Sequence, residues 1–212
     1  MNKYPDTKIY NTLPKLLRYR AEIMPDTVAL RDKDLGIWNE ITWKQYNEKV
    51  SFLALSLAKR GFKLGDVIGL IGDNKPSWLF FELAAQAVGG MSLGIYRDTL
   101  DEEVGYLINA AKVNFVYAED QEQVDKILTI KRPKTNKINI YYEDSRGLKE
   151  LEDPHITNML DLINEGQDIA SKNPDKYNKM IDKVSGNQEA ILCTTSGTTS
   201  NPKLSMLPGG KF

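Results

Sequence analysis

Ten residues near the end of the chain, TTSGTTSNPK at positions 194–203, gather hydroxyl groups as no core or ordinary surface segment requires. Six Ser and Thr residues surround one glycine, Gly197, and Asn201, Pro202 and Lys203 follow. Without a side chain, Gly197 lets the backbone turn sharply and approach a ligand. The hydroxyls of Thr195, Ser196, Thr198, Thr199 and Ser200 add donors beside the backbone N–H groups, and a concavity of such donors holds an anion. Lys203 supplies a flexible point charge, and Pro202 stiffens the segment that carries it. The chemistry these types suit is the gripping of a polyphosphate, in which each charge-assisted hydrogen bond contributes roughly 1.5–3 kcal/mol. The stretch is not a G-x-x-x-x-G-K-[ST] loop, because no Gly-Lys pair precedes a helix. Composition alone leaves a Ser/Thr-rich surface turn as an equal reading, and the order of the residues decides between them.

Few other residues compete for a chemical role. The chain has 212 residues with one cysteine, Cys193, and one histidine, His155. An intrachain disulfide is excluded, which fits a reducing compartment. A zinc site built from His and Cys lacks ligands, and no G-x-S-x-G turn offers a nucleophile. Cys193 reads as a small apolar strand residue and His155 as a loop residue. A net charge of −1 and a pI near 6.0 create no overall field for nucleic acid or an anionic membrane. The basic cluster Lys131, Arg132, Lys134 and Lys137 has no interleaved aromatic residues, so it reads as a solvated loop.

The elements that must position the loop follow from periodicity. Residues 26–43 read as two short strands with a turn at 33–36. Thr42 and Gln45 give a capping-box pattern, opening a helix with an apolar stripe at Tyr46, Val50, Leu53 and Leu57 that Gly61 ends. VIGLIGDN is a buried strand, and Pro76 opens a helix apolar on nearly all sides, from Trp78 to Val88. Core packing explains that helix better than substrate contact does. Residues 76–96 are long and apolar enough to span a membrane, but Gly89 and Gly90 divide them into a helix and a strand. A second capping pattern, Thr99-x-x-Glu102, begins the next helix. NFVYAED is a strand, residues 120–128 a helix with Val124, Ile127 and Leu128 inward, and KINIYYED another strand. Helices at 157–163 and 176–184 flank the loop ASKNPD, and EAILCTT is the strand that feeds the hydroxyl-rich loop. Alternation with crossover-length connections predicts an α/β fold, a mostly parallel sheet with helices on both faces.

TTSGTTSNPK resembles the signature loop of the AMP-forming acyl-CoA synthetases and their adenylating relatives, S/T-S/T-G-T-T-G-x-P-K. Ser200 stands where glycine is commoner, at a cost of roughly 1 kcal/mol or more should that position require a positive φ. The segments GDNKPSW, GIYRDTL and EDQEQVDK are similar to bacterial long-chain fatty acid–CoA ligases in particular. The resemblance implies carboxylate adenylation with ATP and Mg²⁺, then thioester formation with CoA. It implies that Ser196, Gly197, Thr198, Thr199 and Ser200 wrap the β- and γ-phosphates, that Lys203 pairs with phosphate, and that Thr195 helps hold Mg²⁺, with a strand-end capping role for Thr195 as an equal reading. The implied partners are a carboxylic acid (a long-chain fatty acid), ATP and CoA, not nucleic acid. The implied location is cytoplasmic, with peripheral contact at the inner membrane face open.

The resemblance also sets limits. Residues 1–212 correspond to part of an N-terminal AMP-binding domain, cut just after the phosphate loop. The adenine loop, the acidic Mg²⁺ ligand, the ribose aspartate and the catalytic lysine of the C-terminal domain have no counterpart, and PGGKF does not resemble the family. The expectation is a chain inactive by itself, lacking the strands that pair around the loop and so leaving a sheet edge exposed. A non-catalytic nucleotide- or partner-binding module, and a ligase for another carboxylic acid, remain alternatives.

Overall fold

The structure, a computed structural model, describes residues 5–132, 137–149, 151–195 and 202–210. It opens with a helix that no sequence signal above marks, α1 (Leu13–Ile23), where Thr12 accepts the Lys15 N–H and a proline occupies the first turn. Strands β1 (Val28–Asp34) and β2 (Ile37–Thr42) form a separate antiparallel ribbon. Leu35 and Gly36 between them both have positive φ, 45° and 84°, the turn shape that matches the twist of paired strands. The expected capping box starts α2 (Trp43–Lys59): Thr42 Oγ1 accepts the Gln45 N–H, and Gln45 Oε1 accepts the Thr42 N–H.

The main sheet comprises β3 (Val67–Gly72), β4 (Met91–Tyr96), β5 (Phe115–Ala118), β6 (Asn139–Tyr142), β7 (Ile156–Asn158), β8 (Glu189–Thr195) and β9 (Lys203–Pro208). Their order across the sheet is β7-β6-β5-β3-β4-β8-β9, with every pair parallel except β8–β9. The helices are α3 (Pro76–Val88), α4 (Asp101–Ala110), α5 (Gln121–Leu128), α6 (Met159–Lys172) and α7 (Lys176–Asp182). They cover both faces, as the alternating pattern requires. One core joins α1, α2, α3, α6 and α7 to the sheet, and the other lies beneath α4 and α5. In the first, Phe81 stacks on Tyr117 at 4.8 Å and Tyr141 at 6.0 Å. Gly166 lets α6 approach α2 closely, since a Cβ there would strike the Phe52 backbone. Residues 76–96 are α3 and β4, and no helix among the described residues is long and apolar enough to cross a membrane.

Four expectations are corrected. Thr99 and Glu102 make no capping box; Leu100 is the N-cap without a side-chain bond. The helix starts one residue later than the pattern implies, and Asp101, Glu102 and Glu103 instead complement its positive end. Leu128 is 49% exposed because α5 ends there, beyond the last turn that faces the sheet. The helix expected at 157–163 is preceded by strand β7, and Asn158, accepting the Leu160 N–H, sets its start at Met159. Finally, a strand does pair beside the hydroxyl-rich loop: β9 covers β8, so the exposed edge lies one strand further out.

Candidate functional site: a hairpin at the sheet edge

Strand β8 enters the sheet parallel to β4, with Ser92 opposite Ile191 and Leu93 opposite Leu192. Strand β9 returns antiparallel, placing Thr194 opposite Leu204 and Thr195 opposite Lys203. The connection between them therefore leaves the carboxyl end of a parallel strand, where open α/β sheets bind their ligands. Of the sequence-predicted site residues, Thr195 and Lys203 become cross-strand neighbours at its base, both exposed. Thr195 Oγ1 donates to the Lys203 carbonyl oxygen at 3.3 Å. Ser196, Gly197, Thr198, Thr199 and Ser200 lie outside the described residues. From α4, the Tyr106 hydroxyl donates to the Pro202 carbonyl oxygen at 3.2 Å and ties the returning limb to the helix layer. Nothing in the sequence distinguishes Tyr106 from any other aromatic residue on a half-buried helix.

Thr195 suits a supporting part in holding Mg²⁺. A hydroxyl is a hard oxygen ligand, and that of Thr195 is exposed and, among the described residues, donates one long hydrogen bond. Among the described residues no group of three His, Cys, Asp or Glu side chains offers a metal cage.

Beside the hairpin, the carboxyl ends of β3, β4 and β5 are locked by an ionic network. Glu119, 5% exposed, accepts the Asp73 N–H at 2.6 Å and pairs with Lys75 at 2.8 Å. Arg97 reaches Asp73 at 2.6 Å, Asp120 at 3.2 Å and Glu119 at 3.8 Å. Burial pulls the Lys75 ammonium down, but the bond to Glu119 and the carboxylates of Glu119, Glu143 and Asp32 outweigh it, so its pKa lies above the ordinary value. The hydrogen bond to Asp73 holds Arg97 up likewise. Nearby, Glu143 accepts from Ser77 at 2.6 Å and from Tyr117 at 2.8 Å, and burial, then the Glu143 charge, pushes the Tyr117 hydroxyl far up. Asp73, Lys75 and Ser77 belong to GDNKPSW, Arg97 to GIYRDTL, and Glu119 and Asp120 to EDQEQVDK. The three segments that carry the finer resemblance meet in one network.

A mostly parallel seven-stranded α/β sheet, closed at one edge by the antiparallel β8–β9 hairpin, defines the class of fold. The family described as "AMP-binding enzyme" matches residues 17–211, and the chain belongs to it. Long-chain-fatty-acid–CoA ligase ACSBG2 of Mus musculus is 30% identical over 192 residues, 91% of this chain and 28% of that protein. ACSBG1 of Rattus norvegicus is 30% identical over 181 residues, 84% of this chain and 24% of its own length. The chain thus spans little more than a quarter of the curated relatives it matches. Among solved structures, the luciferase-like enzyme of the mealworm Zophobas morio superposes with a TM-score of 0.76 at 14% identity, covering 97% of this chain and 44% of that one. The anthranilate CoA ligase AuaEII, in complex with anthranoyl-AMP, superposes with a TM-score of 0.75 at 17% identity, covering 95% and 35%. These structures share the fold.

Proposed function

We propose that the chain is the N-terminal part of an ATP-dependent long-chain fatty acid–CoA ligase acting in the cytoplasm. In that reaction a carboxylate oxygen attacks the α-phosphorus of ATP, the bond to the β-phosphate oxygen breaks, and pyrophosphate leaves. The CoA thiol then attacks the acyl carbon, giving up its proton, and AMP departs with the electron pair of the broken acyl–oxygen bond. A carboxylate is a poor electrophile because its oxygen leaves badly, whereas AMP leaves well. The first step brings two anions together, so cationic and N–H stabilisation of the polyphosphate lowers its barrier. Lys203 and the amides and hydroxyls of residues 195–200 supply that stabilisation. Mg²⁺, when bound, neutralises phosphate charge, with Thr195 as one oxygen ligand.

The observation that carries this reading is the cross-strand meeting of Thr195 and Lys203 at the base of a hairpin on a parallel strand's carboxyl end. On this reading the β8–β9 hairpin furnishes one wall of the nucleotide site. Calorimetric titration with Mg·ATP tests both parts. The expected result is a dissociation constant weaker than micromolar that weakens further in Lys203→Ala. A micromolar constant would show the wall to be a complete site, and indifference to Lys203→Ala would remove the loop from it.

A further inference from the structure

At the end of the sheet opposite the hairpin, the segments leading into β3, β4 and β8 border a cavity of about 770 Å³ together with α6 and α7. That volume falls within the roughly 300–1,000 Å³ typical of small-molecule sites. Gln188 lies just ahead of β8, so the seven residues of that strand set the cavity roughly 20 Å from Thr195 and Lys203. The floor is apolar: Val88, Met180 and Val184 are half-buried there, and Leu64, 63% exposed, forms one wall. Gly89 gives Leu64 its place. It ends α3 in the left-handed conformation, with φ 90°, and a Cβ on it would come within 2.9 Å of Leu64 Cδ1.

The rim is cationic. Lys176, Lys179 and Lys183 recur along one side of α7 over about 10 Å. Lys172 joins them from the last turn of α6. The one acid among the described lining residues, Asp175, pairs with Lys179 at 3.8 Å. Asp182 of α7 is taken by Arg18 at 2.9 Å. Among the described residues Lys172, Lys176 and Lys183 have no ion pair, and four lysines against one aspartate leave the lining at a net charge of +3. Helix stability accounts for part of this only. Lys172 suits the negative end of α6, but Lys176 is the first residue of α7, at the end where a cation is disfavoured.

We infer that this cavity binds a single-chain lipid phosphate, with an apolar tail on the floor beside Leu64 and Met180 and a phosphomonoester head among the lysines. Charge complementarity decides the head. A carboxylate answers one ammonium, whereas a phosphomonoester carries about −1.5 to −2 near neutral pH and offers three acceptor oxygens. Lysine stems are flexible and their ammonium groups act as point charges, so several can converge on one head. The floor decides the tail: an inorganic anion would leave Leu64 in water, whereas an alkyl chain covers it. The cavity shares no residue with the hairpin, so its assignment does not depend on the ligase reading.

Dodecyl phosphate, kept below its micelle threshold, is the probe, and the methyl resonance of Met180 with the backbone amides of residues 172–184 is the readout. Saturable shifts are expected there, with an affinity that falls as salt is raised. Inorganic phosphate and dodecyl maltoside carry the head or the tail alone, and each should bind more weakly by about tenfold or more. Lys176→Glu, Lys179→Glu and Lys183→Glu together, all at exposed positions, should weaken dodecyl phosphate by about tenfold or more as attraction turns to repulsion. Should that chain fail to fold, Leu64→Glu, also exposed, should bring the same loss from the apolar wall. Lys203→Ala should leave the binding intact, so failure of the phosphate loop and failure of this cavity are read separately. Equal binding of inorganic phosphate would mean an adventitious ion only, and equal binding of dodecyl maltoside a bare apolar patch. A response to phosphatidylcholine vesicles containing phosphatidate, without one to free dodecyl phosphate, would mean a membrane-facing surface. A tighter response to an acidic amphipathic peptide would mean a protein-docking groove. Each of these, like an affinity unchanged in the lysine variant, would overturn the assignment.

Discussion

Strand β3 buries all six of its residues between two helix layers, whereas β9, at the edge of the same sheet, leaves four of six exposed. The two regions are built by different rules. Around β3, shape decides: Phe81 and Tyr117 are fully enclosed aromatics, and Gly166 brings two helices into contact. Around β9, few apolar contacts hold the strand, and its place is set by the backbone ladder to β8 and by Tyr106 on Pro202. The candidate site is at the thinly packed end, where backbone groups can be offered to a ligand rather than spent on a core.

The comparison predicts a gradient of effects. The largest belongs to the core: Phe81→Ala should lower the unfolding free energy by about 3–5 kcal/mol, measured by urea denaturation. A loss below about 1 kcal/mol would show that the stacked ring is not fixed in the core. Next comes the network that joins the two regions. Glu119→Ala leaves Lys75 and Arg97 without their shared carboxylate and the Asp73 N–H without its acceptor, and should cost about 1–3 kcal/mol. The loss should be larger than that of Glu122→Ala, whose carboxylate is exposed.

A smaller effect, with a definite sign, belongs to Glu82. Its folded pKa is raised by burial, so the native state binds more protons than the unfolded state once pH passes the ordinary carboxylate value. The associated stability is complete at low pH and is lost as pH rises through the folded pKa. As pH rises above the ordinary carboxylate range, stability of the native chain should therefore fall relative to Glu82→Gln, which carries no titrating group. A difference that stays constant, or grows the other way, would place Glu82 in a wetter setting than its burial beside Gln86 and Ser92 provides.

Most of the frame is legible in the sequence because local rules suffice for it. Pro76 at a helix start, the Thr42–Gln45 box and unbroken apolar runs such as VIGLIG each fix an element without reference to the rest. What is not legible depends on distant partners. Strand β9, KLSMLP, has no clean alternation and becomes a strand only because β8 is there to pair with it. Strand β7 is three residues long and is defined by its ladder to β6. The helix from Trp78 onward reads as core alone, yet its Trp78 ring lies over Gly94 of β4, where a Cβ would come within 3.1 Å of it. Of the site, the residue types and order of 194–203 point to phosphate, whereas the anchoring Tyr106 and the Arg97–Glu119 network emerge only when the strands are ordered in space.

The central claim is that residues 195–203 grip polyphosphate. Titrating the ¹⁵N-labelled chain with Mg·pyrophosphate, and following backbone amide shifts by NMR, tests it without any demand on the adenine, ribose or acyl walls. The account predicts saturable shifts concentrated in residues 194–203, abolished in Lys203→Ala, while that exposed substitution changes stability by less than about 0.5 kcal/mol. Shifts scattered over surface lysines, or a hairpin silent to the ligand, would contradict it.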